Sequence, residues 1–142
     1  VYQDALGERV THTYPVRPLL DSGAVVNFSS DVYFPSEWLD DSASPFTGIQ
    51  VGHTRRGRGT TPDDPASGPQ SEQLSRESMV KGYTMGGALQ LGTAGATGSL
   101  VAGKKADFIV LDEDLFSMDA ARISEVIPAA VVLNGKRVQG EW

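Results

Sequence analysis

The apolar run that follows Gly103-Lys104 constrains this chain more than any other feature of it. Residues 98–114 read GSLVAGKKADFIVLDED. Gly98–Lys104 satisfies G-x-x-x-x-G-K, and Phe108–Asp112 is an apolar run ending in a carboxylate, the outline of a nucleotide site. A phosphate loop, however, joins a preceding strand to a following helix, so that the helix N-terminus and the loop amides face the anion. Ala106–Leu111 is short, apolar and β-branched, which predicts a strand instead. Lys105 stands where Ser or Thr should hold magnesium, and Asp112 follows with no helix between the two motifs. The nucleotide reading fails. The residues predict a tight turn over Ala102–Lys104 feeding a strand, with Asp107 bonding locally to that turn.

The same texture continues to the end of the chain. Phe108–Leu111 and Ala130–Leu133 read as strands, and Asn134-Gly135 is a strong two-residue hairpin signal into Lys136-Arg137-Val138. Between the strands, Asp119–Val126 suits a short helix stopped by Pro128. The first half is different. Pro15–Leu20 fits a short helix that Gly23 can close, and residues 24–29 (Ala-Val-Val-Asn-Phe-Ser) read as a buried strand. A helix, a glycine and an apolar strand are the building block of α/β folds. Residues 45–56 give a second helix, weakened by Gly48 and Gly52. A third begins at Ser75, which can cap it, with Glu77 in the first turn and Leu74 stapled to Met79, until Gly86-Gly87 weakens it. Residues 57–73 contain no Leu, Ile, Val, Phe, Tyr or Trp and cannot bury themselves, so they form a mobile loop. Arg55, Arg56 and Arg58 precede it, with Asp63 and Asp64 nearby, and read as a solvated face.

Composition removes whole classes of function. The 142 residues allow one ordinary domain. A net charge of −6 argues against nucleic-acid or membrane-surface binding, since both want a basic face. No apolar run approaches the roughly 20 residues that span a bilayer, and no signal peptide is visible. There is no cysteine, hence no disulfide framework and no thiolate chemistry. A cytoplasmic location is the default. The chain starts at Val1 and runs straight into Tyr2-Gln3-Asp4, which reads as a piece of a longer protein.

Taken in order, these segments resemble the C-terminal signature of the amidohydrolase superfamily. TGSLVAGKKADFIVLDED, with VVLNGKRV further on, is similar to the stretch where such a chain leaves a metal-dependent (β/α)8 barrel and completes a small β-sandwich. YPVRPLLDSGAVVNFSSDVYFP resembles the segment that enters the eighth barrel strand, with the metal-site aspartate after it. PFTGIQVGHTRRG and LSRESMVKGYTMGGALQLG resemble the helical segments that follow in the branch called amidohydrolase family 3, which includes N-substituted formamide deformylase. The resemblance runs from Tyr14 to Val138.

What it implies is an α/β fold. Residues 1–92 would hold the last strand and helices of a (β/α)8 metal-dependent hydrolase barrel, with the mobile loop at 57–73. Residues 93–142 would be the C-terminal part of a composite β-sandwich. The implied activity is hydrolysis of a non-peptide C–N bond in a small amide, N-acyl or formamide compound, with a divalent metal, zinc, in the complete enzyme. One site residue carries over. Asp31 matches the barrel aspartate that contacts the metal and acts catalytically, taking the proton from the water the ion activates. Such an ion lowers the pKa of bound water toward ~7, and a nearby carboxylate can accept the proton and return it to the leaving nitrogen. Barrel enzymes place such groups just past the C-terminal ends of their strands. Read alone, Ser29-Ser30-Asp31 is an ordinary strand-to-loop turn. Asp31 is followed by Val32-Tyr33-Phe34-Pro35, which departs from the family's SDWP-type run and alters the expected pocket lining.

The family's metal site is built mainly from histidines, and this chain has only His12 and His53. Neither ends an expected strand, so both are expected on the surface or on a helix face. A catalytic zinc needs three protein ligands and a barrel needs roughly 250 residues, so no metal is expected to bind this chain tightly. Two readings stay open. The chain is the C-terminal part of an amidohydrolase and inactive alone, or it is a non-catalytic β-rich interaction domain that packs against a partner chain. Residues 24–29 and the sandwich strands both call for neighbours. The expected partners, besides a small-molecule amide, are therefore the remainder of the parent enzyme or a second copy, and neither nucleic acid nor membrane.

Overall fold

The architecture follows from how the helices of the first half bury their apolar faces on the second. A computed structural model describes residues 2–31, 43–61 and 63–141. Helix α1 (Tyr2–Leu6) runs into a 3-10 turn over Gly7–His12, and α2 spans Val16–Asp21. α2 stops as expected: Gly23 sits at φ 82°, and the amides of Gly23 and Ala24 return to the carbonyls of Leu20 and Leu19.

Residues 24–30 depart from expectation. They run without a strand partner among the described residues, and only Val26 and Phe28 are half-buried; Val25 is 64 % exposed. A parallel barrel strand takes hydrogen bonds from a strand on each side. The described strands all lie in the C-terminal sheet, so this segment lies on a helix instead.

That helix is one continuous run with three pitches: α4 (Arg76–Lys81), a π turn (Gly82–Gly86) and α5 (Gly87–Gln90). Ser75 caps it, its Oγ accepting from the Ser78 amide at 3.1 Å, and Leu74 and Met79 are both buried as the staple requires. Gly86-Gly87 does not end it. Its glycines serve contact rather than flexibility: a Cβ on Gly82 would lie 2.3 Å from the Phe28 ring, and one on Gly86 would lie 2.5 Å from the Val26 carbonyl oxygen. Phe28 also packs on Tyr83 with ring centroids 5.7 Å apart, and the Asn27 side-chain amide donates to Gln90.

Helix α3 (Pro45–Thr54) begins at a Ser44 cap that accepts from the Phe46 amide, with Pro45 at the first helical position. It buries Phe46, Ile49 and Gln50 against a 3-10 turn over Ala120–Glu125, which replaces the expected helix at Asp119–Val126 and is capped by the Asp119 carboxylate. Phe46, Ile49, Leu74, Met79, Leu115 and Ile123 form one core, joining residues from both halves of the chain.

Gln50 ties the halves by polar bonds. Its Oε1 accepts from the Ser124 amide at 2.9 Å and its Nε2 donates to the Gly57 carbonyl at 3.3 Å. Gln50→Leu fills the same space but leaves both backbone groups unpaired, so a loss of about 1–3 kcal/mol is expected. The measurement is the urea midpoint of the folded protein. An unchanged midpoint would show that these bonds contribute nothing.

The sheet matches its sequence closely. Strands β1 (Phe108–Val110), β2 (Ala130–Leu133) and β3 (Lys136–Gly140) are antiparallel in that order, with Phe108 opposite Val132 and Leu133 opposite Lys136. Asn134 and Gly135 take φ 51° and 76°, the two left-handed positions that a type I′ hairpin requires. Gly103, at φ 93°, makes the turn before β1, and no helix follows it. Lys104 closes this loop, donating to the Thr97 carbonyl and the Ser99 hydroxyl. Asp107 bonds elsewhere than expected. It accepts from the Asn134 amide at 2.5 Å, because β-pairing brings the distant hairpin turn beside it.

Candidate functional site

Asp31 ends the segment that lies on the glycine face of the long helix. It is exposed and takes φ 52°, in the left-handed region that Asp tolerates better than most side chains. Ser29 and Ser30, just before it, line a cleft of about 500 Å³ between this segment, α3, the Tyr83 turn of the long helix and residues 67–74. Most of the lining is apolar, from Val16, Phe28, Val51, Leu74 and Met79. Burial pushes the Tyr83 phenol up, which keeps it a neutral hydroxyl on the cleft wall. The four residues after Asp31, Val32 to Pro35, lie outside the described residues.

The histidines stand where the sequence placed them. His12 is exposed in the 3-10 turn, and His53 is half-buried on α3. His53 Nδ1–H donates to the Leu74 carbonyl at 2.9 Å, so this ring fastens a loop to a helix. Among the described residues no three histidine, cysteine or acidic side chains converge to hold a metal. Among the described residues Asp31 stands without such neighbours, short of the three protein ligands a catalytic zinc takes.

The arginine cluster does not behave as one solvated face. Arg55 is 7 % exposed. It closes α3 in the left-handed conformation at φ 58°, and its guanidinium lies 5.8 Å from the Tyr14 ring centre. Its Nε–H donates to the Ser67 carbonyl at 2.9 Å, while the Ser67 amide returns a bond to the Arg55 carbonyl at 2.7 Å. Composition could not reveal this, because the loop that covers Arg55 does so with backbone. The rest of loop 57–73 is fastened in similar ways. Arg17 donates to the Ser71 and Gln73 carbonyls, and its amide to Glu72. Thr61 donates twice to the Asp64 carboxylate, first through its amide and then its hydroxyl, which holds that carboxyl below its usual range.

The sequence profile of the amidohydrolase family matches residues 2–139. The chain belongs to the amidohydrolase family. The match takes in Asp31, the cleft residues and all of the C-terminal sheet but Gly140, so this amidohydrolase chain carries hydrolase chemistry in its lineage. No curated protein matches it. Among the described residues, no helix is long and apolar enough to cross a membrane.

Proposed function

We propose that this chain is the C-terminal part of a metal-dependent amidohydrolase that cleaves a non-peptide C–N bond in a small amide, N-acyl or formamide compound. In this reading residues 1–92 contribute the last strand and helices of a (β/α)8 barrel, and residues 93–142 the C-terminal part of a composite β-sandwich. The observation that carries it is Asp31: at φ 52° it directly follows Ser29 and Ser30, which line the cleft, within a family match that spans nearly the whole chain. Left-handed backbone at a non-glycine residue costs free energy, and such positions cluster at functional sites. Asp31 takes the proton from the attacking water and returns it to the leaving nitrogen. A divalent ion, zinc in this proposal, would find its other ligands in the remainder of the enzyme, and the 142 residues alone would be inactive.

Exposed apolar residues support the need for that remainder, or for a second copy. Leu91, Leu100 and Ile127 are each more than 70 % exposed, and β1 and β3 each have an outer edge with no strand partner among the described residues. A β-rich interaction domain would share these features, and the family match over residues 2–139 favours the hydrolase reading over it. The complete enzyme is proposed to work in the cytoplasm.

The test is release of free amine from N-formyl and N-acetyl amines by the complete enzyme, before and after exhaustive chelation. Chelation is expected to abolish turnover and added zinc to restore it. Amine release that survives chelation would overturn metal dependence.

A further inference from the structure

Tyr83 presents to the cleft a hydroxyl that the fold does not use. The side chain is half-buried, yet among the described residues its Oη forms no hydrogen bond. A hydroxyl drawn partly out of water is costly unless a partner completes it. The walls around it offer little, being mostly apolar side chains such as Val51, Leu74 and Met79.

The ring is fixed from two sides. It stands in the π turn Gly82–Gly86, a geometry that occurs mostly at functional sites. On one side it packs against Phe28, with ring centroids 5.7 Å apart. On the other it meets α3 so closely that a Cβ on Gly48 would overlap the hydroxyl. Phe28 leads directly into Ser29 and Ser30, which line the same cleft, and then into Asp31. Both serines are exposed, whereas the phenol is set among packed side chains. A neutral donor held in this way is suited to negative charge that develops during a reaction, because it needs no reorganisation when the charge appears.

We propose that Tyr83 is a catalytic residue of the proposed hydrolysis, its hydroxyl donating a hydrogen bond to the amide carbonyl oxygen as that oxygen takes up negative charge. This rests on the hydrolase reading above, with Asp31 as the proton acceptor. The water oxygen bonds to the amide carbon, the carbonyl π pair moves onto the oxygen that Tyr83 faces, and Asp31 takes one proton from the water. When that pair returns, the C–N bond breaks and its electrons stay on nitrogen, which takes the proton from Asp31. An acid and an amine leave, and Tyr83 keeps its own proton throughout.

The experiment uses the complete enzyme with two probes: N-acetylbutylamine, and the phosphonamidate that puts a tetrahedral phosphoryl group in place of its amide carbonyl. Tyr83→Phe removes one oxygen and keeps the ring on Phe28. The hydroxyl has no protein partner among the described residues, so the urea midpoint should not change. Amine release should show kcat lowered by about 10²–10³, the usual loss of one such donor, with KM little altered. By calorimetry, affinity for the phosphonamidate should drop about tenfold or more, while affinity for the amide stays as it was. A kcat within about tenfold of wild type would overturn the proposal and leave the hydrolase reading in place. So would equal losses of affinity for the two probes, which a merely structural role would produce. Wild-type enzyme that releases no amine, yet binds the phosphonamidate through Tyr83, would sink the hydrolase reading while upholding the contact between this hydroxyl and an anionic oxygen.

Discussion

Asp31→Asn is expected to lower kcat of the complete enzyme by about 10²–10⁴, the usual contribution of a positioned acid–base group. Asparagine is the informative replacement because it keeps the size of the side chain and also tolerates the left-handed backbone. The φ of 52° at this position should therefore survive, while the carboxylate charge proposed to contact the ion and its capacity to take a proton are lost together. An alanine would change the chemistry and the backbone preference together. KM should move little, since the cleft walls come from other residues. Steady-state amine release decides it. A variant retaining activity within tenfold of wild type would exclude Asp31 as the proton acceptor and return it to the role of a turn residue.

Gly86→Ala should reverse the sign that helix propensity assigns to it. In an exposed helix this change stabilises by roughly 1 kcal/mol. The backbone here poses no obstacle, because Gly86 has ordinary helical angles of φ −59° and ψ −49°. The obstacle is the neighbour. The new methyl would sit 2.5 Å from the Val26 carbonyl oxygen and 3.4 Å from the Asn27 Cα, and both are backbone atoms that cannot rotate away. Overpacking of this kind costs about 1–3 kcal/mol, so the urea midpoint should fall. Activity should fall with it, because segment 24–30 must lift from the helix and Asp31 moves with the segment. Gly87→Ala is the control. Nothing lies within 4 Å of its added Cβ, and that variant should be at least as stable as the parent. Equal effects at the two positions would show that segment 24–30 is not docked on this helix in solution.

These two glycines illustrate how unevenly the fold could be read in advance. Adjacent in sequence, they signal the same weakness, and propensity alone weakens the helix equally at both. In the structure the helix passes through them to Gln90, one lying under the Val26 carbonyl and the other open. Arg55 and Arg56 are a similar pair. Nothing in the chain order separates them, yet Arg55 is buried against Tyr14 and Ser67, while Arg56 Nε–H donates to the Asp64 carbonyl in the loop.

What the sequence determined by itself depends on atoms a few residues apart. The Ser75 cap, the Gly23 stop, the Asn134-Gly135 turn and the turn at Gly103 all belong to this group. Each satisfies or frees backbone groups within one turn of the chain, so residue identity suffices to specify it. The order of the motifs, and with it the family and Asp31 as the candidate carboxylate, was legible too. Tertiary structure decided whatever depends on a distant neighbour. Residues 24–29 have the composition of a buried strand, but a strand is completed by its partners, and the face available to this one is a helix cleared by Gly82 and Gly86. Asp107 exchanged a local turn for the amide of Asn134 once β1 and β2 were paired. Arg55 became a buried cation because the polar loop closes over it with the Ser67 carbonyl and Gly68 rather than with apolar side chains. Hydrophobicity along a chain reports which side chains leave water, whereas backbone can cover a charge without leaving any trace in that pattern.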